Sequence, residues 1–307
     1  MVNVFTIVKP IVHGVMKLAG VTSHKVEIEP GTIMNFWVPT ETIKNPNQKL
    51  INKPPVVLIH GFFADGILTW LFQVLALTRN YAVYVPDLLF FGDSITDRNE
   101  RTTSFQAECL AKGLMKLGVE RCSVVGLSYG GMVAFKLGKL YPHLVDSMIV
   151  SGTVIELTQS ISNKSLEKLG FSRWSDILMP ETVEGLKRLL SIGSHGSLFT
   201  RFPRFFYSDF LQVMFHNRRE RDELLEALVV PDREFTPTSY SQRIYLLWGD
   251  DDKIFNLEVA NNIKLQLKDK ASLYCIENAG HISQLERPGT YNHHLKTILG
   301  SLLQQNK

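Results

Sequence analysis

The chain has 307 residues, 45% hydrophobic and 21% charged, with 21 Gly and 13 Pro; that composition is globular and excludes a disordered tail, a collagen-like fibre and a disulfide-stapled miniprotein. Thirty-three Lys and Arg against 30 Asp and Glu leave a formal net charge of +3, too mild for a nucleic-acid footprint without a basic stripe. At roughly 150 residues per domain the length suggests two folding units, or one large α/β unit carrying an insertion.

Residues 1–26 hold Lys9, Lys17 and Lys25 and no acid, and their apolar runs are broken at Lys9-Pro10 and His13-Gly14. No 18-residue apolar span and no unbroken signal-peptide core occurs there, so neither a spanning helix nor a secretory leader is expected. A segment lying weakly on a membrane surface stays open as an alternative. Lys25–Glu29, the turn Pro30-Gly31 and Thr32–Val38 read as an edge hairpin, and Thr40–Pro54 as a polar loop.

From Val56 a β/α alternation begins, the pattern of a mostly parallel sheet. Strands are predicted over Val56–His60, Ala82–Val85, Cys122–Val125 and Ser147–Ser151. Helices are predicted over Ile67–Thr78, 104–117 and 130–140, the second with a Thr103/Gln106 capping box and Gly118 past its end. The alternation stops over about 153–240, where Leu, Phe and Arg abound and no Val/Ile-rich strand stands out. It resumes with strand Arg243–Trp248, helix 257–267, strand Ser272–Ile276 and helix 289–303. The expected organisation is therefore a core over 1–152 and 241–307, interrupted by a mainly helical cap over 153–240. In that cap the run Arg218, Arg219, Arg221, interleaved with acids, reads as a solvated helix face. Cys109, Cys122 and Cys275 form no CxxC pair and read as reduced core residues, which points to a cytoplasmic location. No His/Cys cluster has zinc spacing.

Four motifs carry chemistry. Gly126-Leu127-Ser128-Tyr129-Gly130 lies between a buried strand and a helix. A serine there is forced into a strained turn and presented at a helix N-terminus, where developing negative charge is favoured. The pattern alone would match roughly one chain of this length in ten by chance, and its strand–helix setting is what makes it informative. His60-Gly61-Phe62 ends the strand that begins at Val56; an acyl-transfer serine needs two amide N–H groups, and those of Phe62 and Tyr129 are placed to serve. His60 reads as a structural residue bonded within its loop. Trp248-Gly249-Asp250-Asp251-Asp252 supplies a strand-end carboxylate to orient an imidazole, with the choice among the three aspartates open on physical grounds. Gly280-His281 supplies that imidazole, and the order serine, acid, histidine fits the architecture.

With Pro86-Asp87, Gly92-Asp93-Ser94 and Glu286-Arg287-Pro288 added, the chain resembles the α/β-hydrolase fold superfamily over essentially its whole length. Within it the chain is similar to plant serine hydrolases related to monoacylglycerol-lipase-like and meta-cleavage-product hydrolase-like proteins. Leu127 stands where many relatives carry histidine. The resemblance implies an α/β fold with a helical cap, a catalytic set of Ser128, Asp252 and His281, and no metal or cofactor. It selects Asp252 because the acid of such relatives lies three residues after the strand-end glycine. The implied activity is hydrolysis of a small-molecule carboxylic ester, by an esterase or a monoacylglycerol-lipase-like enzyme. A C–C hydrolase of the meta-cleavage type and a small-molecule receptor on the same fold are the alternatives. An epoxide hydrolase or haloalkane dehalogenase would need a carboxylate where Ser128 stands. Phe202, Phe205, Phe206 and Tyr207 are the candidate lining of an apolar acyl pocket.

Overall fold

The computed structural model describes residues 3–44 and 53–305. Its strands are β1 (Val21–Glu29), β2 (Thr32–Pro39), β3 (Pro55–Ile59), β4 (Ala82–Pro86), β5 (Ile95–Thr96), β6 (Cys122–Leu127), β7 (Val145–Ser151), β8 (Leu157–Thr158), β9 (Val229–Val230), β10 (Arg243–Gly249) and β11 (Ala271–Ile276). Among the described residues the main sheet runs β1-β2-β4-β3-β6-β7-β10-β11, with β5 paired to β2. The β1/β2 hairpin and the β2/β4 pairing are antiparallel, and every pairing from β4 to β11 is parallel. This is the α/β-hydrolase fold, a mostly parallel sheet with helices on both faces.

Burial explains the strand pattern. Val56, Val57, Leu58 and Ile59 of β3 are all at most 1% exposed, because helices cover a parallel sheet on both sides and leave no polar face. On one face helices 66–77 and 288–305 meet, with Trp70 beside Tyr291. On the other, helices 103–116 and 129–140 pack together. Since β3, β6, β7, β10 and β11 point the same way, their following loops gather at one carboxyl edge.

Several details differ from the sequence reading. Residues 5–18 form a helix through Pro10, held by buried Phe5 and Met16 and begun where Asn3 Oδ1 accepts Phe5 N–H at 2.9 Å. Thr40–Lys44 is a short helix rather than loop, and 45–52 of the expected loop lie outside the described residues. The cap of helix 103–116 is Thr102, whose Oγ1 accepts from Phe105 N at 3.1 Å; Gln106 instead bonds both backbone groups of Leu89. Cys275 is exposed, unlike buried Cys109 and Cys122, because β11 is the sheet's edge strand.

Between β7 and β10, which pair directly, the chain leaves the sheet. It forms helices 159–169, 174–178, 183–193, 204–214 and 218–228 and a two-stranded ribbon, Leu157–Thr158 against Val229–Val230, too short to show in the sequence. Arg221 in this insert is buried, not solvated. Its Nε donates to Phe90 O at 3.1 Å, its Nη1 to Met214 O at 2.5 Å, and its guanidinium lies 4.1 Å from the Phe91 ring centroid. Burial pushes its pKa down to about 10; the carbonyls and the aromatic face compensate the charge.

Candidate active site

The turn between β6 and helix 129–140 holds Ser128 at φ 54°, ψ −120°. A non-glycine residue with positive φ is strained and persists only where its surroundings over-determine it. They do so here. Ser128 N donates to Ser151 O at 2.9 Å, and Thr153 Oγ1 donates to Ser128 O at 2.7 Å. A Cβ on Gly126 would meet Gly130 O at 2.7 Å, and one on Gly130 would collide with the carbonyls of Ile59 and His60. Strand, turn and helix pass too close for any side chain, which is the physical content of the Gly-x-Ser-x-Gly spacing.

The β3 loop lies beside this turn. Gly61 has Ser128 Cβ within 3.4 Å of where its own Cβ would be. His60 is buried, with Nδ1 at 2.7 Å from Gly61 O and Nε2 accepting Leu88 N–H at 2.9 Å. One nitrogen must then donate and the other accept, so the ring is neutral with its proton on Nδ1. Burial pushes its pKa down to about 4, and its role is to brace the loop, as the sequence suggested. Phe62 packs edge-on against Tyr129 (centroids 5.7 Å) and Phe91 (5.1 Å). Asp87 of the Pro86-Asp87 motif accepts from Gly66 N and Asn35 Nδ2, both at 2.9 Å, pinning the loop from behind.

The three aspartates after β10 go three ways. Asp250 Oδ1 accepts Ala279 N–H at 3.2 Å. Asp251 Oδ2 pairs with His195 Nδ1 at 3.0 Å, on the surface. Asp252 is 3% exposed; its Oδ1 accepts the amides of Ile254 and Phe255, both at 2.9 Å, and its Oδ2 lies 2.8 Å from His281 Nδ1. Two amide donors hold the carboxylate in place. With Nδ1 engaged, Nε2 is the nitrogen His281 has left for chemistry.

Of two further groups that support this pair, one escaped the sequence reading and the other entered it only as part of a motif. Gly152, after β7, has φ +51°, and a Cβ there would stand 2.7 Å from His281 Nδ1 and 2.9 Å from Asp252 Oδ2. Ser128 and the Asp252–His281 pair therefore press on the same three residues, Ser151 to Thr153. Glu286 accepts Gly280 N–H at 2.6 Å with one oxygen and His195 N–H at 2.8 Å with the other, tying the His281 loop to the insert. A strand-end glycine could have flagged the first; nothing in the sequence singles out the second beyond its place in the Glu-Arg-Pro motif.

A cavity of about 30 Å³ adjoins Ser128. Its core wall is Phe62, Tyr129, Met132, Ile254 and Phe255; its insert wall is Leu157, Trp174, Leu178, Leu225 and Leu228. Phe202, Phe205, Phe206 and Tyr207 are not part of that lining. Phe202 and Phe205 face solvent, Phe206 packs on Phe5 and Phe202, and the Tyr207 hydroxyl donates to Phe199 O. They sit on helix 204–214 and its approach, which packs on helices 5–18 and 183–193. Among the described residues no group of three or more His, Cys, Asp or Glu is placed to hold a metal ion.

Comparison with known proteins agrees with this architecture. Over 265 residues the chain is 24% identical to Epoxide hydrolase 4 of Mus musculus, covering 78% of this chain and 71% of that protein. It is 24% identical to a 2-hydroxy-6-oxononadienedioate/2-hydroxy-6-oxononatrienedioate hydrolase of Paraburkholderia phymatum, covering 85% and 92%. The crystal structure of a putative lipase from Acinetobacter baumannii superposes with a TM-score of 0.79 at 22% identity, covering 97% of each chain. The family model described as alpha/beta hydrolase fold matches residues 54–288. The chain belongs to the alpha/beta hydrolase fold family.

Proposed function

We propose that this protein is a serine hydrolase of carboxylic esters with an apolar acyl group. The observation that carries the reading is the strained Ser128 turn sharing Ser151–Thr153 with the buried Asp252–His281 pair. Ser128 Oγ attacks the acyl carbon, His281 Nε2 takes its proton, and Asp252 holds Nδ1–H and offsets the imidazolium charge. The Phe62 and Tyr129 amides receive the oxyanion; neither donates a hydrogen bond elsewhere among the described residues. His281 returns its proton to the leaving alcohol, water attacks the acyl-enzyme, and the same groups act in reverse order. No step calls for a metal or cofactor. The apolar walls favour a hydrocarbon acyl chain, and 30 Å³ holds roughly one or two waters, so an acyl chain enters by displacing insert side chains.

A C–C hydrolase with the same three residues is the second reading, supported by the similarity to the Paraburkholderia phymatum hydrolase. Turnover of a p-nitrophenyl ester series, from acetyl to medium acyl chains, beside a vinylogous 1,5-diketone decides between them. The ester reading expects kcat/KM to climb with chain length until the pocket fills. Hydrolysis of the diketone alone would replace it, and tight binding with no turnover would favour a receptor.

A further inference from the structure

Helix 5–18 is apolar on two sides. One side, with buried Phe5 and Met16 and partly buried Val12, packs on the core. The other carries Ile7, Ile11, Val15 and Leu18, whose spacing of four, four and three residues places them on one helical face. These are 56, 59, 36 and 90% exposed. One apolar side is enough to seat a helix on a protein, and the second has no partner among the described residues. The helix itself carries Lys9 and Lys17, in a segment, residues 1–26, whose sequence has three lysines and no acid.

The apolar surface continues onto the insert. Phe5 touches Phe206 (centroids 5.1 Å), and Phe206 stacks on Phe202 (4.7 Å). Phe202 and Phe205 are exposed, with Arg201 beside them. Val4 N donates to Asp209 Oδ2 at 2.6 Å, fixing the helix start to helix 204–214. Exposed Ile, Leu and Phe flanked by exposed Lys17 and Arg201 match the amphipathic chemistry of a surface that lies in a lipid interface, while Lys9 is paired with Asp65 at 3.9 Å and Asp209 is taken up by Val4 N. None of the described helices is long and apolar enough to cross a membrane.

We infer that the exposed face of helix 5–18, together with Phe202 and Phe205, docks this protein onto an anionic phospholipid surface. The inference stands apart from the reaction proposed above, since it concerns binding alone. The test is flotation of the full chain with phosphatidylcholine vesicles, with and without phosphatidylglycerol. Binding should require phosphatidylglycerol and weaken with salt. Ile11→Glu/Leu18→Glu should lower partitioning about tenfold or more, and Phe205→Ser and Lys17→Gln/Arg201→Gln by smaller factors. Sedimentation velocity and thermal unfolding of each variant run beside it. No flotation with anionic vesicles overturns the inference. So does flotation unchanged in all three variants, or a wild-type dimer that Ile11→Glu/Leu18→Glu dissociates, which would make the face a contact between copies.

Discussion

The two walls of the Ser128 cavity are built on different principles. On the core side, position is set by backbone: Gly126 against Gly130, Gly130 against the β3 carbonyls, and Gly152 against His281 and Asp252, each with no room for a methyl group. On the insert side, position is set by interchangeable side chains, Leu157, Trp174, Leu178, Leu225 and Leu228, carried on helices and a ribbon. That wall's polar ties to the core run through other residues of the insert, such as Arg221 and Asn217 on Phe90 O and His195 N on Glu286. Backbone contacts tolerate no substitution and so preserve a reaction; apolar side chains tolerate many and so adjust a substrate. Changes on the core side should cost rate, and changes on the insert side should redirect it.

The largest expected effect is Asp252→Asn. Asparagine keeps the shape but favours the wrong imidazole tautomer, so kcat should drop about 10⁴-fold. Asp250→Asn and Asp251→Asn, whose carboxylates face Ala279 and His195, should retain most activity. Equal losses at all three in steady-state kinetics would shift the weight from one carboxylate to the turn.

Gly152→Ala should come next. Its methyl group would force the imidazole off its position, and a displacement of about 1 Å can cost roughly 10²-fold in kcat. Cooperative unfolding should persist; a variant with full kcat would show that the pair has slack.

The third effect concerns the brace beneath Phe62. His60 has its pKa lowered by burial to about 4 from the usual 6.5, so the unfolded chain takes up a proton first as pH falls. The ring's contribution is fully present above 6.5 and declines through the window from 6.5 to 4. Denaturant titrations at neutral pH and near the bottom of that window should show wild type losing about 2 kcal/mol more than His60→Asn. Parallel curves would mean that His60 is not held neutral.

The smallest effect tests the insert wall. Leu228→Ala opens the cavity, and each added methylene is worth about 0.8 kcal/mol, roughly fourfold in kcat/KM. The optimum acyl chain should lengthen while acetyl ester turnover changes little. A uniform loss across the series would place Leu228 on the rate-setting side after all.

The contrast also explains what could be read in advance. The positions of Ser128, Phe62 and His281 were legible because parallel strands announce themselves as apolar runs and their ends must converge. Asp252 was not separable from Asp250 and Asp251 by residue type, since a tight turn sends three like side chains in three directions; resemblance to a family selected it. Gly152 was marked only by being a glycine at a strand end, because its reason lies 100 residues and more away in sequence. Arg221 was hidden by its acidic neighbours, for charge alternation describes a helix face without saying which residue turns inward. The aromatic density around 202–207 was real, but helix 204–214 spends it on Phe5 and on solvent, while leucines and Trp174 line the cavity. Helix 5–18 was obscured by Pro10, and tertiary packing of Phe5 and Met16 overrides that local cost.

The central claim, that Ser128 is the nucleophile, is tested most directly by treating the protein with a fluorophosphonate and mapping the adduct by peptide mass spectrometry. The account predicts one stoichiometric adduct on Ser128, formed fast in wild type, slowly in Asp252→Asn and absent in Ser128→Ala. An adduct on another residue, or labelling of Ser128→Ala at the wild-type rate, would contradict it.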